Sequence, residues 1–322
     1  MIKEKVLIFG STGQIGRHLI RKLTKNNYKV TCQTRNSHKA IFLKTSGSIG
    51  YIEIVEANIF DEKKLSELIK DCDVCINLIG ILFENSKFNT FKNIHTNFPD
   101  LISKICANYK KKLIHFSALG LEKAKDSLYA NSKINGEKKI RENLPDAIII
   151  KPSLVFSVSD SLTTKFLSLI SNFPIFPLYY KGETKFCPIH ASEIADLTYY
   201  VISNNIKSKD IEAIGPEILT FKEIIKILSV SINKKILLIN FPLIFAKFSA
   251  SFFQLFPQPL ITKDQLRLLK YDNIKSKNGI TNFDIGCPSK INLKSGLKKY
   301  SYNWMDGGQY ALKNSNKSKH DY

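Results

Sequence analysis

Ser117, Tyr129 and Lys133 are three side chains that can handle a proton, and they fall close together in the chain. Tyr129 and Lys133 stand four apart in SLYANSK, so any helix built there carries both on one face. A tyrosine with a pKa near ~10 is a poor base at neutral pH. A lysine ammonium one turn away favours the phenolate and lowers that pKa. Ser117, at the end of the apolar run KLIHFSALG, offers a hydroxyl to steady a substrate oxygen. With a nicotinamide alongside, the trio supports hydride transfer to or from a carbonyl. The same spacing also occurs on ordinary solvated helices of lysine-rich chains. The assignment therefore depends on what the rest of the sequence builds around the pair.

The first 150 residues alternate between two periodicities. Short apolar runs stand at VLIFG, YKVTCQT, YIEIVEA, DVCINLIG, KLIHFSA and AIIIKPS. Amphipathic stretches separate them, among them QIGRHLIRKLTKN, DEKKLSELIKD and FPDLISKICANYKK. In the second of these, Leu65, Leu68 and Ile69 share a face and Asp61 is the expected N-cap. Strand and helix in alternation predict an α/β, Rossmann-type doubly wound parallel sheet. After Pro152 the pattern loosens and prolines cluster, which predicts a smaller irregular C-terminal lobe. The expected division is a dinucleotide-binding domain over 1–150, a substrate or partner lobe over 151–310, and a polar, disordered tail over 311–322.

Between the first strand and the first helix lie Gly10, Gly13 and Gly16. The first glycine permits a tight turn, the second lets backbone approach a pyrophosphate, and the third lets helix pack on sheet. The helix N-terminus then offers free N–H groups to the phosphates. The expected contact set from this loop is Gly10, Ser11, Thr12, Gly13, Gln14, Ile15, Gly16 and Arg17. The second strand ends VTCQTRN, without the acid that would hold a ribose 2′-hydroxyl. Arg35, aided by Arg17, can instead pair with a 2′-phosphate, which favours NADP(H) over NAD(H). Asn58, followed by Ile59, ends the third strand where a side chain can reach the adenine. Leu78, Ile79 and Gly80 close the fourth strand at the crevice edge.

The order Gly10/Gly13/Gly16, NLIG, Ser117, Tyr129-x-x-x-Lys133 and KPSLVF resembles the short-chain dehydrogenase/reductase superfamily, of the extended or atypical, NAD-dependent epimerase/dehydratase-like kind. KPSLVF resembles an R-P-S-x-V-F-G stretch that borders the nicotinamide in that group, which implies contacts from Pro152, Ser153 and Val155. Ser157 stands where the glycine is usual. FCPIHASEIADL resembles a further P-I-H-V-x-D-V-A stretch. SLYANSKINGEKKIRENLPDAIIIKPSLVF, PLYYKGETKFCPIHASEIAD, GPEILTFKEI and FPQPLITKDQLRLLKYDNI together resemble bacterial relatives of the thirty-nine-kilodalton accessory subunit of respiratory complex I, the NADH:ubiquinone oxidoreductase. That resemblance covers roughly residues 5 to 300. It implies a tightly held NADPH and a structural or assembly role at the quinone-reducing arm, with nucleotide binding implied more securely than turnover. A working reductase, epimerase or dehydratase using Ser117, Tyr129 and Lys133 stays open as the alternative.

Lys plus Arg number 48 against 28 Asp plus Glu, a formal net charge of +20. Such a charge suits an anionic partner. The lysines are spread along a chain also rich in Ile and Asn, with no arginine-rich arm, so nucleic acid is disfavoured and an anionic membrane surface preferred. The stretch 234–261 is the most apolar of the chain and carries Phe245, Phe248, Phe252 and Phe256 at helical spacing. It reads either as core of the second lobe or as an interfacial helix against lipid or a membrane subunit. The six cysteines are scattered, complete no metal-ligand pattern, and are expected as buried, reduced thiols. MIKEKVLIFGSTG enters a strand directly, and no ~20-residue apolar run spans a bilayer. The expected location is cytoplasmic, peripheral on the cytoplasmic face of the inner membrane.

Overall fold

The computed structural model describes residues 3–158, 160, 162–206, 209–242 and 262–308. The aromatic stripe of Phe245, Phe248, Phe252 and Phe256 and the tail 311–322 lie outside the described residues. The chain divides into two compact units. The first comprises Met1–Ser153, Ala191–Ile214 and Lys275–Pro288; the second comprises Leu154–His190, Gly215–Ile274 and Ser289–Tyr322. Two segments that the sequence assigned to the C-terminal lobe therefore belong to the first unit.

The first unit is built on a seven-stranded sheet. Its strands are β1 (Lys5–Phe9), β2 (Lys29–Thr34), β3 (Ile52–Glu56), β4 (Val74–Asn77), β5 (Lys112–Phe116), β6 (Ile148–Pro152) and β11 (Asp210–Ala213). The order is β11-β6-β5-β4-β1-β2-β3, with every pairing parallel. The six expected apolar runs are the first six strands. Their order reverses between β1 and β4, the place where open α/β sheets take ligands beyond the strands' carboxyl ends.

Helices α1 (Gln14–Lys25), α3 (Glu62–Lys70), α4 (Phe98–Asn108), α5 (Leu128–Asn143) and α7 (Ala191–Ser203) flank the sheet, and the short α2 (Ser37–Ala40) follows β2. α3 starts as expected: the Asp61 carboxylate accepts from Lys64 N at 3.0 Å, and Leu65 and Ile69 are fully buried. They join Leu7, Phe9, Phe98, Ile102, Cys106 and Ile140 in one apolar cluster. Phe9 and Phe98 meet edge to face at 5.2 Å. α7 packs on α1, where Lys22 and Asp196 pair at 2.6 Å.

The second unit contains three two-stranded sheets among its described residues. They pair β7 (Val155–Phe156) with β10 (Ile189–His190), β9 (Lys185–Phe186) with β12 (Leu219–Thr220), and β8 (Ile175–Leu178) with β13 (Leu237–Asn240). Its core gathers Phe156, Phe176 and Leu178 with Leu167 of α6 (Thr163–Asn172) and Phe221, Ile225 and Leu228 of α8 (Phe221–Ser231). Asp160, buried, accepts from Ser157 N at 3.0 Å and Thr163 N at 2.6 Å and so starts α6. The alternate residues of β8 and β13, Ile175, Leu237 and Ile239, are exposed.

Five cysteines are buried, whereas Cys287 is half-buried. Burial pushes the Cys32 and Cys72 thiols up to about 12, so neither is a ready nucleophile. Among the described residues, no helix is long and apolar enough to cross a membrane, and no group of three or more His, Cys, Asp or Glu could hold a metal ion.

Candidate functional site

The turn after β1 is tight because its parts sit on one another. Gly10 has φ of +81°, and Gly13 N donates back to its carbonyl at 3.1 Å. A side chain at Gly16 would put its Cβ 2.5 Å from Ser11 O and 2.7 Å from Gly10 O, so only glycine lets α1 begin there. Gly13 caps α1 with no side-chain hydrogen bond, and a helix N-terminus is a favourable place for an anion. Ser11 is fully buried and donates to Gln33 O at 3.0 Å, tying the loop to β2. Thr12, Gln14 and Ile15 are half-buried along the same turn.

Past β2, Gln33 occupies the place of an acid, but its side chain is turned inward and donates to Ala57 O at 2.7 Å. Arg35 stands exposed in the following loop. Arg17 donates from Nε to Thr12 O at 2.9 Å, and its guanidinium lies 4.8 Å from the centre of the Phe42 ring. Beyond β3, Asn58 uses its Oδ1 to accept from Phe60 N at 3.0 Å, and the Ile59 side chain is buried in the sheet's apolar cluster. Leu78 and Ile79 are half-buried beyond β4, with Gly80 exposed. Pro152 closes β6 and Ser153 N donates to Ala213 O at 3.0 Å. Val155 belongs to the second unit, on β7.

Tyr129 and Lys133 share a face of α5, as their spacing predicts. Ser127 caps that helix by accepting from Ala130 N at 3.1 Å. Lys133 Nζ donates to Phe116 O at 3.0 Å and lies 5.9 Å from the centre of the Tyr129 ring. Burial pulls the Lys133 ammonium down to about 8, against an opposing pull from Glu137. Gly80 brings the loop after β4 to the same place: a Cβ there would lie 3.6 Å from Lys133 Nζ and 3.7 Å from His95 Nε2.

Ser117 takes a different course. Its hydroxyl donates to the Glu137 carboxylate, and Glu137 pairs with Lys151 at 2.8 Å, both side chains 14% exposed. A hydroxyl has one proton, so Ser117 bound in this way has none to donate to a substrate oxygen. Glu137 and Lys151 were not foreseen as site residues. Glu137 follows Lys133 by one helical turn, a visible signal, but its partner sits on β6 and is brought near only by the sheet.

Two buried histidines were also missed. Asn77 Oδ1 accepts from Ile79 N at 3.0 Å, so its Nδ2 is the donor to His115 Nδ1 at 3.1 Å. Burial, with Lys133 and Arg141 nearby, holds His115 well below the usual histidine range. His95 Nε2 accepts from Ile81 N at 3.0 Å, and its Nδ1 lies 3.0 Å from Ser132 Oγ. Burial foremost, then the Lys133 charge, pushes His95 down to about 2.

Residues 2–96 match the NmrA-like family. The chain is 25% identical over 238 residues to the mitochondrial NADH-ubiquinone oxidoreductase 40 kDa subunit of Neurospora crassa, covering 73% of this chain and 62% of that protein. It is 26% identical over 316 residues to the mitochondrial NADH dehydrogenase (ubiquinone) 1 alpha subcomplex subunit 9 of Mus musculus, covering 92% and 81%. The chain thus spans only about three fifths of the Neurospora relative, the 62% just given. Among solved structures, a dTDP-glucose 4,6-dehydratase from Bacillus anthracis in complex with NAD superposes with a TM-score of 0.70 at 13% identity, covering 94% of this chain and 96% of that one. A UDP-glucuronic acid 4-epimerase from Bacillus cereus, in complex with UDP-glucuronic acid and NAD, gives a TM-score of 0.66 at 16% identity, covering 91% and 96%. The fold is that of the NAD-dependent epimerases and dehydratases, and the sequence is similar to complex I accessory subunits, as the motifs imply.

Proposed function

We propose that this chain holds NADP(H) at the β1–α1 loop and serves as a structural or assembly subunit of a complex-I-type NADH:quinone oxidoreductase. The observation that carries the reading is its likeness to a complex I subunit along 92% of its length. The helix N-terminus at Gly13 suits a pyrophosphate, and Arg35 with Arg17 suits a 2′-phosphate. Lys133 and Tyr129 would face the nicotinamide end. A bound nicotinamide would supply hydride chemistry, but the Ser117 proton is committed to Glu137, which supports holding over turnover. A peripheral position on the cytoplasmic face of the respiratory membrane is supported by the net charge of +20 and by the exposed Ile175, Leu237 and Ile239 of the second unit.

The second reading, an active reductase, epimerase or dehydratase, is favoured by one observation: Lys133 is buried beside Tyr129 and its pKa is depressed. One preparation separates the two. Tagged protein is drawn from detergent-solubilised membranes without added cofactor, then denatured, and the released nucleotide is identified by mass. Stoichiometric NADP(H) together with co-purifying oxidoreductase subunits is the expected result. An empty, purely soluble protein that exchanges nucleotide freely would overturn the subunit reading in favour of the enzyme.

A further inference from the structure

His95 lies in a π-helical turn, Lys92–Asn97, that runs straight into α4. Such turns insert an extra residue and re-aim side chains, and they gather at functional sites. Here the turn is pressed against α5. A Cβ on Gly136 would fall 1.9 Å from His95 O, so only glycine permits the contact. Thr96 Oγ1 adds a bond to Ser132 O at 2.9 Å.

The proton positions on the His95 ring follow from its neighbours. Ile81 N–H can only donate, so Nε2 must carry the lone pair. Ser132 Oγ donates to Tyr129 O at 2.7 Å, which leaves it to accept from Nδ1–H. The chain of bonds runs in one direction: Ile81 N–H to His95, His95 to Ser132, Ser132 to the backbone of Tyr129. The ring also packs the tyrosine. His95 meets Tyr129 edge to face at 5.2 Å, and Phe91 stacks on His95 at 5.5 Å and meets Tyr129 edge to face at 5.8 Å. The groups that face the imidazole are Lys133 and Tyr129 from α5 and His115 from β5. A second proton on the ring would set N–H against the Ile81 N–H, beside a buried ammonium.

We infer that His95 is a positioning residue of the nucleotide site: a neutral imidazole, protonated on Nδ1, that ties the loop after β4 to the helix bearing Tyr129 and Lys133. The inference rests on the nucleotide reading for its purpose but not for its geometry. The loop supplies Leu78, Ile79 and Gly80 to one side of the site and α5 supplies the tyrosine and lysine to the other. His95 sets the separation between them.

The test uses the full chain. Imidazole nitrogen NMR between pH 5 and 8 should show His95 protonated on Nδ1 throughout, and exchange of the Ile81 amide should be slow. His95→Phe keeps the ring contacts but removes the acceptor, so Ile81 exchange should speed up. NADPH should then bind about tenfold more weakly, the scale expected for a buried N–H left without its partner. His95→Gln places an amide oxygen near the position of Nε2 and should restore binding to within about threefold. A ring that titrates in this range, or carries its proton on Nε2, overturns the inference, as does unchanged NADPH affinity in His95→Phe. If the wild type binds no NADPH, the proposed function fails, while the tautomer and the Ile81 amide still decide the tether. Should His95→Phe not fold, those two wild-type measurements and His95→Gln decide it alone.

Discussion

Replacing Lys133 by methionine isolates one buried charge. Lys133 is 5% exposed and its pKa falls from 10.5 to about 8, chiefly through burial. At ~1.4 kcal/mol per pKa unit, that fall corresponds to about 3 kcal/mol by which the folded state disfavours the ammonium. The penalty is fully present below pH 8 and vanishes above 10.5. Between those values the unfolded chain still holds the proton that the folded chain has released, so this group makes stability rise with pH. From pH 7 to pH 10 its contribution should improve by about 2.5 kcal/mol. The buried thiols Cys32 and Cys72 act in the opposite sense over part of this range, because they ionise more readily once unfolded. The decisive quantity is therefore the difference between wild type and Lys133→Met, in which the thiols cancel. Urea unfolding at pH 7, 8, 9 and 10 measures it. Lys133→Met should gain on wild type at pH 7 and lose that advantage by pH 10, even after the bond to Phe116 O is forfeited. Curves that stay parallel within ~0.5 kcal/mol would refute the claim that Lys133 is held against its charge.

Three further outcomes are expected. Arg35→Ala should weaken NADPH binding about tenfold and leave NADH nearly unchanged, by fluorescence titration; equal losses would remove the 2′-phosphate assignment. Glu137→Gln removes the nearest of three carboxylates around Lys151, at 2.8 Å, leaving Glu122 at 3.4 Å and Asp210 at 3.8 Å; it should cost ~1–2 kcal/mol, part of which Glu137→Gln/Lys151→Met recovers, as a double-mutant cycle with both single variants would read. His95, held near 2, gives stability that is present above its ordinary value of 6.5 and is lost as pH falls; from pH 7 to 5 the loss is about 2 kcal/mol, and His95→Phe should lack it in acid titrations.

What could be read from the letters was local. Six strands and the Asp61 cap were visible because strand runs, glycine spacing and an N-cap acid are properties of neighbouring residues. The return of 191–214 and 275–288 to the first unit was not visible. β11 is only four residues long, and its place beside β6 is a pairing across a long excursion of chain. Charge patterning hid Lys151 for a related reason: among many lysines, nothing in KPSLVF marks the one that β6 sets against Glu137.

Ser117, Tyr129 and Lys133 are side chains whose types suit proton transfer. Spacing placed Tyr129 and Lys133 on one face of α5, yet the state of each of the three is set by residues that type and spacing do not single out. Glu137 accepts the hydrogen bond of Ser117, burial depresses the Lys133 pKa, and His95 with Phe91 packs the ring of Tyr129. Glu137, Lys133 and His95 each have a further partner, namely Lys151, Phe116 O and Ser132. A site whose polar groups are answered by protein rather than left for a substrate is organised to hold its shape. Those bonds join protein groups to one another, so they fix the shape of the site independently of what fills it.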